Sequence, residues 1–477
     1  MMSDFDLVIR NGTVATAADV SRCDIGVRDG KVAALAERLS GAREIDAGGL
    51  LVLPGGVDAH CHFDQPTGDG SQMADDFRSG SIAAACGGTT TIIPFAAQAR
   101  GQSLRAAVED YHGRAAGKAV IDYAFHLIIS DPSPQVLGQE LPALLRDGYT
   151  SFKIYMTYDD LKLDDRQILD VLDFARREGA MAMIHAENTD CIAWLTEKLE
   201  AAGRTAPRYH ATSRPAPVER EATHRAITLA ELIDVPVLIV HVSSREAIEQ
   251  IRWAQGRGLK IYAETCPQYL FLSEEDLDQP GFEGAKCVCS PPPRGKDNQK
   301  YVWEGLTGGV FQVFSSDHAP FRFDTPNGKR NAGADAPFRA VPNGIPGVET
   351  RLPLLFSEGV MAGRLELNRF VALTATNPAK IYGLYPRKGT IAVGADADLV
   401  LWDPERAVTL TNAMLHHNVD YTPYEGMKLR GWPITTLSRG EVVCRDGALA
   451  AAPGRGRFLP CDLPKPAAPR LGRGSYY

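Results

Sequence analysis

Hydrophobic and polar positions along this chain follow two rhythms. In the first fifty residues apolar positions come in short runs broken by turn dipeptides. Residues 6–10 and 13–15 flank Asn11-Gly12, and residues 25–28 and 31–35 flank Asp29-Gly30. Both dipeptides predict tight hairpins. So short a segment cannot bury a sheet of its own. Its counterpart lies near the other end, where 389–401 and 437–449 repeat the pattern, with turns at Gly394-Ala395-Asp396 and Asp446-Gly447. The economical reading is one small β-sandwich domain assembled from residues 1–53 and 385–449, with a larger domain inserted between.

That insert, 54–384, alternates apolar strand candidates with amphipathic helical patterns, as parallel βα units do. The eight strand candidates are 52–62, 88–94, 121–129, 151–157, 180–187, 236–243, 260–267 and 311–318. Between them, at 166–177, Ile168, Leu169, Val171, Leu172 and Ala175 share one helical face and charges occupy the other. Eight such units predict an α/β fold, a TIM-like (β/α)8 barrel with its chemistry at the C-terminal strand ends. Residues 450–477 are rich in Pro, Gly, Ala and Arg, end in Tyr476-Tyr477, and carry no core-forming pattern. They read as an extended tail, disordered or lying on a neighbouring subunit.

Composition narrows the class. A chain of 477 residues with 44% hydrophobic and 23% charged positions is an ordinary globular protein. A net charge of −8 with no long basic run argues against a nucleic-acid surface. No apolar stretch approaches the roughly 18 residues of a transmembrane helix, and residues 1–6 lack the basic and apolar regions of a secretory signal. Nine scattered cysteines suit reduced thiols in a cytoplasmic enzyme. Among them, Cys287 and Cys289 read as apolar fillers.

Candidate chemistry begins at the end of the first barrel strand. His60 and His62 stand two apart, so an extended strand turns both imidazoles to one face. That makes half of a divalent-metal site, or two buried histidines bonded to carbonyls or water. Lys153 lies within the apolar run Ser151-Phe152-Lys153-Ile154-Tyr155. Burial there depresses its pKa, and a neutral amine can take up carbon dioxide as a carbamate; an ion-paired or snorkelling lysine is the alternative. The fifth candidate ends in His185-Ala186-Glu187, the sixth in His241-Val242-Ser243-Ser244, and the eighth in Ser316-Asp317-His318. Four histidines, a lysine and an aspartate at the strand ends of one barrel face point to a metal centre.

With these motifs in place the chain resembles the cyclic amidohydrolases, and among them the hydantoinase/dihydropyrimidinase family. The resemblance spans nearly the whole chain. It rests on His60-Cys61-His62, on Lys153 with Tyr158 five residues on, and on His185-Ala186-Glu187-Asn188, His241-Val242-Ser243-Ser244, Cys289-Ser290-Pro291-Pro292 and Ser316-Asp317-His318. Further matches are 342–349 and Tyr421-Thr422-Pro423-Tyr424-Glu425-Gly426. It implies two zinc ions bridged by N6-carboxylated Lys153, with His60, His62 and Asp317 on the first and His185 and His241 on the second. It implies hydrolysis of the cyclic amide bond of dihydropyrimidines or 5-substituted hydantoins to an N-carbamoyl amino acid. Asp317 would shuttle the proton, Tyr158 would face the oxyanion, and Ser290 and Asn343 would bind the –CO–NH–CO– edge. His318 reads as a supporting partner rather than a ligand. A homotetramer, or a dimer, is also implied.

Related readings differ in residues. Dihydroorotases carry an arginine two residues past the second histidine, where this chain has Asp64. An allantoinase or another cyclic imidase remains an alternative, and a non-catalytic scaffold relative, having lost its ligands, is a remote one. Loops 64–76, 95–101 and 155–163 cover the barrel mouth. Asp159, Asp160 and Lys162 make the third more polar than in relatives that take bulky aromatic hydantoins. That favours a small or polar substituent, unless those residues merely form a solvated rim.

Overall fold

Two sheets and a parallel barrel are built from residues 5–472, the part of the chain that the computed structural model describes. The Asp29-Gly30 turn forms as expected: Asp24–Arg28 and Lys31–Ala36 pair antiparallel. Both turn residues have positive φ, 52° and 72°, matching the twist of the flanking strands. Asn11-Gly12, by contrast, is not a hairpin. Leu7–Arg10 joins Asp24–Arg28 and Glu44–Asp46 in a four-stranded sheet, whereas Thr13–Ala15 joins Val20–Arg22 and Leu51–Pro54 in a seven-stranded one. The dipeptide is the corner between the sheets. A Cβ on Gly12 would lie 2.5 Å from Val52 Cγ2, so close approach, not turn geometry, calls for glycine here.

Late strands Leu399–Thr409, Lys428–Ser438, Glu441–Arg445 and Ala448–Leu449 complete the seven-stranded sheet, with Leu51–Pro54 paired directly to Leu399–Thr409. Pleat alternation sorts their side chains. Val52, Leu399 and Leu401 join Leu7, Ile9, Ile25 and Val27 between the two sheets. One step out of phase, Leu53, Val400 and Trp402 pack with Ala83, Leu352 and Phe356 of the barrel side. Burial on both faces accounts for the unbroken apolar run at 50–53.

All eight strand candidates of the insert are strands: Gly56–Cys61, Thr89–Ala97, the pair Asp122–Tyr123 and His126–Ile128, Ser151–Tyr155, Met181–His185, Val237–Ile239, Ile261–Thr265 and Val313–Phe314. Each lies parallel to its neighbour. The candidate 52–62 divides at Gly55, its first part entering the seven-stranded sheet and its second the barrel. The first and eighth strands meet at a parallel bridge between Cys61 and His318, where Asp317 N donates to His60 O at 2.8 Å and His62 N to His318 O at 2.7 Å. Val57, Ile93, Phe95, Ile128, Met183 and Leu238 fill the interior. Alternate residues such as Phe152, Ile154, Ile184 and Ile239 face the surrounding helices. Of these, Asp165–Glu178 starts on an Asp164–Gln167 capping box, ends at Gly179 with φ 76°, and buries Ile168, Val171, Leu172 and Ala175. Among the described residues no helix is long and apolar enough to cross a membrane.

The late segment corrects its reading as disordered or laid on a neighbour. Gly456 N donates to Ala119 O, Tyr123 N to Arg457 O, Leu459 N to Tyr123 O and Cys461 N to Gly148 O. Arg470 pairs with Asp234 at 2.9 Å. Residues 454–470 thus strap the N-terminal end of their own barrel, using main-chain groups that Pro- and Gly-rich composition does not reveal. Tyr476-Tyr477 and residues 1–4 lie outside the described residues.

Two ion pairs, one buried and one half-buried, test this architecture. Arg351, fully buried, donates from Nη1 to Phe314 O at 2.7 Å and from Nη2 to Thr89 Oγ1 at 3.1 Å, and its Nε lies 3.6 Å from Asp58 Oδ2. Arg351→Met would leave Asp58 buried and unpaired, and should cost about 3–5 kcal/mol in chemical denaturation; an unchanged midpoint would refute this role. His416 Nδ1 lies 2.8 Å from Glu349 Oε1, a hydrogen bond that holds its pKa up at about 9 against burial. Because the folded value exceeds the ordinary 6.5, the stabilisation is complete below about pH 6.5 and is lost as pH rises through about 9. His416→Asn should therefore lower the melting temperature at pH 6 clearly and at pH 10 little.

Candidate active site

Strands one, four, five, six and eight deliver His60 and His62, Lys153, His185, His241 and Asp317 to one buried cluster at the C-terminal mouth. None of the six exceeds 9% exposure. His60 Nε2 lies 2.8 Å from Lys153 Nζ and 3.2 Å from Asp317 Oδ1; His62 Nε2 lies 3.4 Å from the same oxygen. The rings of His185 and His241 are 4.4 Å apart, and those of His60 and His241 5.3 Å. Possible ligand atoms of His60, His241 and Asp317 all fall within 4.8 Å of one another, forming a His/His/Asp candidate metal site.

Local structure explains the aim of each side chain. Phe152 and Ile154 pack outward, so the pleat turns Lys153 inward, its Nζ 4.6 Å and 4.8 Å from the ring centroids of Phe95 and Tyr155. His185 follows Met183 on the same inward face. Tyr158, His241 and Asp317 have φ of 67°, 38° and 48°. Left-handed backbone costs a residue with a side chain about 1–3 kcal/mol, and such outliers cluster at functional sites.

Burial drives His60 and His241 well below the ordinary imidazole range and lowers His185, which keeps these rings neutral and able to ligate. Burial also lowers Lys153 to about 8, against the pull of Asp317 and Glu264. It pushes the other way on Asp317, but His60, His62 and Lys153 outweigh it and hold that carboxyl at about 2. His241 Nδ1 is buried with no hydrogen-bond partner. A donor set of neutral imidazoles and a carboxylate with one such orphaned nitrogen fits a divalent cation such as zinc.

Several supporting residues escaped the sequence reading. Glu264, at the end of the seventh strand, lies 2.6 Å from His60 Nδ1 and accepts from His241 N at 3.1 Å; burial pushes its carboxyl up to about 8. A glutamate inside the buried run Ala263-Glu264-Thr265 was its available signal. Glu187 Oε2 lies 2.7 Å from His185 Nε2 and 2.8 Å from Arg214 Nη1. Arg214 in turn lies over the Tyr158 ring, 5.5 Å from its centroid, in an irregular stretch with no local signal. His318 takes the supporting place expected of it, 3.1 Å from Asp75 Oδ2 and accepting from Gly347 N at 3.0 Å.

Tyr158 lies edge-on to His185 at 5.4 Å. Burial pushes its hydroxyl up to about 12, so it stays a proton donor at neutral pH. Ser290 Oγ lies 3.3 Å from His210 Nε2. Asn343 Oδ1 is buried and unpartnered, and the next residue, Gly344, donates to Val288 O at 3.0 Å. In the loop 155–163, Asp159 and Lys162 pair with each other at 2.6 Å, the aspartate side chain 89% exposed. Tyr158 and Leu161 turn toward Phe95 and Tyr155 instead. That pair belongs to a solvated rim, which removes it as grounds for expecting a small or polar substituent. Asp64 pairs with Arg114 at 3.2 Å.

The amidohydrolase family pattern matches residues 51–443. The D-hydantoinase of Ralstonia pickettii is 47% identical over 456 residues, covering 95% of this chain and 98% of the relative. That of Geobacillus stearothermophilus is 47% identical over 456 residues, covering 95% and 96%. The crystal structure of dihydropyrimidinase from Brevibacillus agri superposes with a TM-score of 0.93 at 44% identity, covering 96% of this chain and 98% of that one.

Glu264→Gln keeps the shape but loses the carboxylate against His60 Nδ1. It should weaken metal retention about 10- to 100-fold in chelator competition, and equal retention would show that Glu264 does not orient the ligand.

Proposed function

The chain belongs to the amidohydrolase family, in its hydantoinase/dihydropyrimidinase group, and from that premise we propose its reaction and its site. It performs metal-dependent hydrolysis of the cyclic amide bond of dihydropyrimidines or 5-substituted hydantoins, yielding an N-carbamoyl amino acid. The convergence of His60, His62, Lys153, His185, His241 and Asp317 beside Tyr158 carries this reading. His60, His62 and Asp317 would hold one zinc ion and His185 and His241 a second, with Lys153 as its N6-carboxylate completing the donor set. The lowered lysine pKa supports the carbamate, because only a neutral amine adds to carbon dioxide. When bound, the two ions supply Lewis acidity and lower the pKa of a water.

The chain's own residues do the remaining work. Asp317, ionised at neutral pH, accepts the proton of the attacking water and returns it to the ring nitrogen as the C–N bond breaks. Tyr158 donates its hydroxyl proton in a hydrogen bond to the oxygen that gains charge as the carbonyl turns tetrahedral. Main-chain groups at Ser290 and Asn343 hold the flat –CO–NH–CO– edge, leaving the 5-substituent toward the rim. The D-hydantoinase relatives support preference for the D-enantiomer. Cysteine usage supports a cytoplasmic location, and the family resemblance supports a homotetramer.

Metal analysis of active protein should find about two zinc per chain, and Lys153→Ala should lose both the metal and at least about a thousandfold in ring opening. Full activity in that variant would refute the assignment. A panel of dihydrouracil, hydantoin, D- and L-5-substituted hydantoins, allantoin and dihydroorotate, followed by ring-opening absorbance, should show dihydrouracil, hydantoin and the D-5-substituted hydantoins opened fastest. Faster turnover of allantoin would reassign the substrate.

A further inference from the structure

Lys329 is fully buried and lies outside the metal cluster, on the irregular segment that follows the eighth strand. Its Nζ donates to Val288 O at 2.8 Å and to Pro342 O at 2.7 Å. Those carbonyls belong to the two segments that carry Ser290 and Asn343: Val288 stands two residues before the serine, and Pro342 immediately before the asparagine. Val288 O also accepts from Gly344 N at 3.0 Å, so one carbonyl is shared by the lysine and the neighbouring segment.

Little slack surrounds this junction. Gly344 has φ 142°, and a Cβ there would lie 2.4 Å from Ala319 O, two residues past Asp317. The lysine's own amide donates to Arg322 O at 2.7 Å, fixing the base of the side chain. Burial lowers the amine to about 7, and in either protonation state it keeps at least two N–H donors for the two carbonyls. An apolar residue of the same length would leave both carbonyls without that donor, a costly loss in a buried place.

We propose that Lys329 is a positioning residue that sets the spacing between the Ser290 and Asn343 main-chain groups, and so sets affinity for the substrate's –CO–NH–CO– edge. This rests on the assignment of those two residues to substrate binding. The metal cluster and Asp317 do not depend on Lys329, so its loss acts on binding of the ring edge more than on the chemical step.

Lys329→Met tests this by three readings on the full-length, metal-loaded chain: KM and kcat with hydantoin and dihydrouracil, zinc content, and amide hydrogen exchange at 288–290 and 343–345. The expected result is a tenfold or greater rise in KM, a kcat within about threefold of the parent, unchanged zinc and faster exchange confined to those two segments. KM within twofold of the parent, or a fall in kcat that follows zinc loss at constant KM, overturns the proposal. If the methionine variant does not fold, Lys329→Arg carries the same readings. Its wider head must push Val288 and Pro342 apart, so the same rise in KM is expected and an unchanged KM overturns it. Should the parent chain open none of these rings, the substrate assignment fails, and the exchange pattern alone then decides the clamp: uniform exchange refutes it.

Discussion

Taking an amine, a carboxylate and four imidazoles out of water at one end of a closed sheet is costly unless each finds a partner. Much of the mouth is arranged around that requirement. Glu264 meets His60 and the His241 main chain, Glu187 meets His185 and Arg214, and Asp317 meets His60 and His62. Where protein partners run out, His241 Nδ1 is left without a hydrogen bond inside the His60/His241/Asp317 candidate metal site. The candidate metal site and barrel closure share residues, since Asp317 N also donates to His60 O where the first and eighth strands meet.

A second set of contacts joins the metal side to the substrate side. Arg214 touches both Glu187 and the Tyr158 ring, so the residue that braces His185 also braces the proposed oxyanion donor. Lys329 plays a similar part for the Ser290 and Asn343 segments. Each bridging group is a buried basic side chain whose N–H donors meet main-chain or carboxylate oxygens. Such contacts fix geometry more sharply than apolar packing, because a lost partner leaves a buried polar group unsatisfied.

Rigidity reaches the mouth from outside as well. The seven-stranded sheet packs against the barrel through Val400 and Trp402, and His416 ties the late segment to Glu349 beside the substrate-edge loop. At the opposite end the strap at 454–470 bonds to the starts of barrel strands. At the rim, by contrast, Asp159 and Lys162 pair with each other and meet solvent.

Periodicity by itself determined the eight barrel strands and the split small domain, because strand pleat and helix pitch are local properties written in residue order. The candidate ligands were placed at one barrel face for the same reason: they stand at the ends of those strands. Only the tertiary structure decided that Asn11-Gly12 is a corner between sheets, that the Pro-rich end straps its own barrel, and that the charges of the 155–163 loop face outward. It alone also found Glu264, Arg214 and Lys329. These depend on which distant backbone or carboxylate lies within 3 Å or so of a side chain, and no spacing along the sequence records that distance.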